Sequence, residues 1–136
     1  MLIDINHARI THLEWEFELE DILSGRKRNH NDVTSHDECM LGTWLYREGL
    51  KRYGHIAELV LLEKHHTTFH REAKKVLREH QLNNSEAANV AFAEVQSLSR
   101  EIIFLLTVVE YRIIKRQQKV EAIKHPIRSL RRILFG

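Results

Sequence analysis

The stretch Glu63-Lys64-His65-His66-Thr67-Thr68-Phe69-His70-Arg71-Glu72 decides the fold, because its apolar residues and two of its histidines recur at helical intervals. His66 and His70 stand four residues apart and therefore share one helix face. That face continues through Leu59, Leu62, Phe69, Ala73 and Leu77, so two imidazoles interrupt a stripe that points into a core. An unsatisfied polar group in such a place costs about 1–3 kcal/mol. Either both rings find hydrogen-bond partners in the core, or both hold something between them. An i,i+4 imidazole pair reaches one metal ion without bending the helix.

The chain around this stretch is helical in character. It has 136 residues, one proline and five glycines, with long runs of Leu, Ala, Glu, Lys and Arg. This length and composition predict one all-α domain with a sizeable core. Met1-Leu2-Ile3-Asp4 has neither the basic nor the apolar region of a signal peptide. The apolar run from Ile102 to Val109 is broken by Thr107 and too short to cross a bilayer. The expected location is therefore the cytoplasm. The single cysteine, Cys39, leaves no partner for an internal disulfide and reads as a metal ligand, a redox-sensitive thiol or a core filler.

Working outward, the first helix is expected from about Asp4 to Ser24, with Gly25 just past its end. Its inward face reads Ile5, Ala8, His12, Trp15, Leu19, Ile22 and Leu23, and His12 sits in the middle of it. A second apolar row, Ile10, Leu13 and Phe17, faces elsewhere and leaves surface for another helix or a second subunit. Arg26 to Thr34 reads as a polar loop. Ser35 and Glu38 have the spacing of a capping box for a short helix through about Arg47, which places Cys39 in its first turn. There the helix dipole and free backbone N–H groups favour a thiolate. Gly49 is expected to end that helix, and Leu50 to His55 to form a connector. The third helix spans about Ile56 to His80. Ser85 caps the last helix, which runs from Glu86 to about Lys124 and is stopped by Pro126.

The last helix carries Val95, Leu98, Ile102, Leu105 and Val109 at alternating spacings of three and four, the seam of a bundle. It has no Cys or His and reads as scaffold. The expected architecture is an antiparallel bundle of three long helices plus one short helix carrying the cysteine, over residues 1–125, followed by a basic amphipathic tail, 126–136.

His12, Cys39, His66 and His70 now form a set of three imidazoles and one thiolate, all on inward faces, and a tetrahedral Zn2+ takes four such ligands. The bland reading of the same residues is buried, hydrogen-bonded histidines beside an inert core cysteine. Trp15 and Trp44 read as site wall and core, and Gly42 as a small residue allowing close approach. His36 and His65 are nearby substitutes of lower rank. His7, His30, His55, His80 and His125 read as surface or boundary residues.

The pattern H-x-x-W (His12, Trp15), C-x-x-G-x-W (Cys39, Gly42, Trp44) and H-x-x-x-H (His66, His70) resembles the chemoreceptor zinc-binding domain family. The resemblance implies a helical bundle, a zinc site of three histidines and one cysteine, a cytoplasmic location and a role in sensing zinc or oxidants. It also implies a signalling partner of the receptor or diguanylate cyclase type. Here the domain reads as a stand-alone unit, with no signalling domain recognisable on either side.

Other classes fit less well. A hemerythrin-like di-iron carrier would use Glu14, Glu18 or Glu63 as carboxylate ligands, but it needs more ligands, including bridging carboxylates at facing positions, and the last helix offers no histidine. A cysteine hydrolase built on Cys39 has no nameable orienting residue, and a zinc hydrolase needs an open coordination position that four protein ligands do not leave. The expectation is a protein that is not an enzyme. A structural zinc site in an interaction module is the nearest rival to a sensor.

Charge is asymmetric. The chain carries a net +2, yet Arg112 to Arg132 holds eight basic residues against the single acid Glu121. Such an end suits an acidic protein surface or an anionic membrane. Ile127, Leu130, Ile133 and Leu134 would share one face of a tail lying on a membrane. No nucleic-acid recognition motif is present. The surplus apolar surface of the first and last helices predicts a homodimer.

Overall fold

The computed structural model describes residues 3–26 and 39–124. These form α1 (Ile5–Leu23), α2 (Met40–Trp44), a π-helical turn (Leu45–Gly49), α3 (Leu50–Tyr53), α4 (Ala57–Gln81) and α5 (Ser85–Lys124), and the described residues contain no strand. The all-α fold with three long helices and a short cysteine-bearing one is the expected architecture.

Local chemistry explains where the helices begin and end. Asp4 caps α1, its carboxylate accepting from the His7 backbone N–H at 3.0 Å. At the other end Gly25 takes φ +79°, and the N–H groups of Gly25 and Arg26 donate back to the carbonyls of Ile22 and Asp21. This is the six-to-one, five-to-two closure that a residue without Cβ permits. α4 closes in the same way with an asparagine in the glycine position. Asn83 has φ +60°, and the N–H groups of Asn83 and Asn84 donate to the carbonyls of His80 and Glu79.

α4 and α5 form an antiparallel hairpin and make the most extensive contact among the described helices. Arg9 of α1 reaches Thr107 (2.9 Å) and Glu110 (3.6 Å) on α5, while Glu58, near the start of α4, pairs with Arg112. Both α1 and α4 thus begin beside the later half of α5 and run opposite to it, parallel to each other. Leu59, Leu62, Phe69, Ala73 and Val76 of α4 and Val95, Ile102, Leu106, Val109 and Ile113 of α5 are buried, closed over by Ile5, Ala8, Leu19 and Ile22 of α1. Each large side chain among them contributes about 1.5–3 kcal/mol by leaving water.

Three boundaries differ from expectation. Cys39 is the residue before α2 and caps it, instead of lying inside the first turn. Gly49 does not end the short helix. The chain stays helical from Met40 to Tyr53 through the π turn, because the buried Trp44 ring occupies the space a Cβ at 49 would need, 2.8 Å from the Trp44 Cζ3 atom. Ser85 is the first residue of α5 and does not cap it, since the carbonyl of the preceding Asn84 already accepts from Ala88 at 2.9 Å. The capping box of Ser35 and Glu38, the loop from 27 to 34, Pro126 and the tail at 126–136 lie outside the described residues. Among the described residues no helix is long and apolar enough to cross a membrane.

Candidate metal centre

Four side chains from three separate segments meet between α1, the start of α2 and α4. His12, Cys39, His66 and His70 each offer one ligand atom, and these atoms all lie within 4.8 Å of one another. All four residues are buried. His66 is central, its Nε2 lying 3.1 Å from the Cys39 Sγ and 3.0 Å from the His70 Nε2.

Two of the donors are oriented by the helices that carry them. His12 Nδ1 lies 2.8 Å from the Ala8 carbonyl oxygen, one turn back along α1. A carbonyl only accepts, so Nδ1 carries the proton and Nε2 keeps its lone pair. That Nε2 is buried without a hydrogen-bond partner. Burial also lowers the pKa of His12 from its ordinary 6.5, against the opposing pull of the Ala8 carbonyl, so the ring is neutral at pH 7. Cys39 Sγ accepts the Gly42 backbone N–H at 3.3 Å, a bond that favours the thiolate. Gly42 therefore acts on the site through its backbone N–H.

Aromatic rings wall the centre. Trp15 meets His12 and His70 edge to face with centroids at 5.2 and 4.9 Å, and Phe69 meets His12 at 5.2 Å. Trp44 stacks on Tyr53 at 6.4 Å and fills the space over Gly49, holding the α2–α3 arm that carries Cys39. Tyr46 donates to Glu63 Oε1 at 2.6 Å, which ties the same arm to α4 three residues before His66.

Several of these supports were missed by sequence reading. The Ala8 carbonyl had a signal in the i−4 relation to His12. The Tyr46–Glu63 bond, across 17 positions, had none. Glu63 is spent on Tyr46 and Thr67, and the donor group contains no carboxylate among the described residues, so the di-iron reading finds no support. His65 is half-buried, His7 is exposed, and His55, in the turn before α4, contacts Arg116 of α5. His36, His30 and His125 lie outside the described residues.

The donor set fits Zn2+. Metal–nitrogen and metal–sulfur bonds of about 2.0–2.3 Å imply tetrahedral edges of about 3.3–3.7 Å. The shortest separations here are 3.0 and 3.1 Å and the longest within 4.8 Å, so the cluster brackets that size. Soft thiolate and neutral imidazole favour zinc over hard cations. The buried His12 Nε2 is the kind of orphan acceptor that a cation satisfies.

No curated protein and no solved structure gives a significant match to the chain. Residues 12–77, which include all four donors, match the family model described as the chemoreceptor zinc-binding domain. That match places residues 12–77, the span from α1 to the last turns of α4, in the chemoreceptor zinc-binding domain family.

Proposed function

We propose that the protein is a regulatory domain whose packing responds to zinc availability or to oxidation of Cys39, and that a partner protein of the receptor or cyclase type reads the change. The observation that carries this reading is the origin of the donors. His12 comes from α1, Cys39 from the start of α2, and His66 and His70 from α4, whereas α5 supplies none. Holding one ion, these residues would tie α1 and the α2–α3 arm to α4. Losing it would free that junction while the α4–α5 hairpin stayed packed.

Two chemical events remove a lone pair from the set. A two-electron oxidant converts the Cys39 thiolate to a sulfenic acid, and acid protonates the imidazoles. A lone thiolate of this kind is kept reduced in the cytoplasm, where we place the protein. All four positions being protein ligands supports regulation over catalysis, because a hydrolytic zinc keeps one open. The rival is a purely structural ion, whose removal unfolds the whole domain.

Elemental analysis should find about one Zn2+ per chain, falling strongly in Cys39→Ala and His66→Ala. Amide hydrogen exchange with and without chelator then separates the two readings. Regulation requires faster exchange confined to α1 and the α2–α3 arm. Global loss of protection assigns the ion a structural role, and unchanged exchange removes both.

A further inference from the structure

The buried seam of α5 does not stop where the bundle stops. Leu106, Val109 and Ile113 follow one another at spacings of three and four and are all fully buried against α4 and α1. The same spacing continues through Arg116 to Val120 and Ile123, which are 44% and 82% exposed. From Ile114 to Lys124 no residue is buried, Glu121 and Ala122 being half-buried and the others exposed. A helix end whose seam is buried by no other described helix is a site for another helix.

The charges around the seam choose the occupant. Arg112 to Lys124 holds five cations, Arg112, Lys115, Arg116, Lys119 and Lys124, against one carboxylate, Glu121. Arg112 is paired with Glu58 and Arg116 lies on His55, but Lys115, Lys119 and Lys124 have no carboxylate partner among the described residues. A second copy of this helix would set cations against cations at the flanking positions, which is unfavourable. A membrane surface needs a broad apolar face. Here Ile114 lies about 100° from Ile113, and Ala122 about 180° from it, so the apolar residues beyond the two-residue stripe are scattered among the lysines.

We infer that the overhanging end of α5 docks an acidic amphipathic helix of a partner protein, with Val120 and Ile123 in the seam and Lys115, Lys119 and Lys124 pairing with its carboxylates. The surface is independent of the metal centre and stands whether or not the zinc reading holds.

The test uses the full chain and a synthetic peptide of about four heptads with Leu at the core positions and Glu at the flanking ones, beside a counterpart with Lys in place of Glu. Fluorescence anisotropy should show the Glu peptide binding the wild type. Binding should weaken at least about tenfold for Val120→Ser/Ile123→Ser, and again when salt is raised from about 0.05 to about 0.5 M. The Lys peptide should not bind. Unchanged helical circular dichroism and zinc content certify that the variant is folded. Absence of binding by the Glu peptide, equal binding of both peptides, or equal binding to the variant would overturn the inference. So would seam-dependent capture of the protein by vesicles of about 30% phosphatidylserine without peptide binding, or a self-association that the double variant abolishes.

Discussion

His12 Nδ1 donates to the Ala8 carbonyl oxygen at 2.8 Å, which leaves Nε2 of the same ring buried, unprotonated and without a partner. The single bond that orients the ring is thus also what leaves its other nitrogen free to donate a lone pair. Because the orphan nitrogen is a cost when no cation meets it, His12→Leu should change sign with metal. In the presence of chelator the variant should be more stable than wild type by about 1–2 kcal/mol, since it removes a buried unsatisfied atom at similar volume. With zinc in excess it should be less stable than wild type. Urea melts of both proteins under both conditions measure this, and a variant less stable in chelator would contradict it.

The same burial gives a pH dependence. The folded-state pKa of His12 lies below the 6.5 of an exposed histidine, so the unfolded chain takes up a proton that the folded chain refuses. The contribution is fully present above pH 6.5 and is lost as pH falls below it, towards the folded-state value. Zinc-free wild type should therefore lose stability below pH 6.5, and His12→Leu should lose less over the same window.

Gly49 lies under the Trp44 ring, where an added Cβ would stand 2.8 Å from Cζ3. Ala is the better helix former by about 1 kcal/mol, but overpacking a buried ring costs about 1–3 kcal/mol. Gly49→Ala should therefore destabilise the protein by up to about 2 kcal/mol. Because Trp44 anchors the arm that carries Cys39, zinc should be held more weakly as well. A variant more stable than wild type in thermal melts would show that the ring moves aside freely.

Ile10 and Phe17 on α1 are 52% and 59% exposed, and Phe104 and Tyr111 on α5 are 63% and 60% exposed. This is more apolar surface than a monomer needs, and a second copy would cover it. Light scattering at micromolar concentration should give the mass of a dimer for wild type and of a monomer for Ile10→Asp/Phe17→Asp. A monomeric wild type would remove the proposal.

The helices themselves were legible in the sequence because a helix is a short-range object. The stripe from Leu59 to Leu77, the seam from Val95 to Val109 and the glycine after α1 all act within a turn or two, and α1, α4 and α5 stand within a residue or two of where those signals put them. The i,i+4 geometry of His66 and His70 was legible for the same reason. Bringing Cys39 within 3.1 Å of His66, 27 positions away, is a tertiary result. So is the parallel course of α1 and α4, which sets His12 beside them. The π turn through Gly49 also escaped the sequence, because a glycine is locally a helix end and becomes passable only when a distant requirement, room for a buried Trp44 ring, outweighs that preference. Periodicity and caps determined which residues face inward, since their hydrogen bonds close within a few residues. Which inward residues meet was decided by packing between segments that no local period connects.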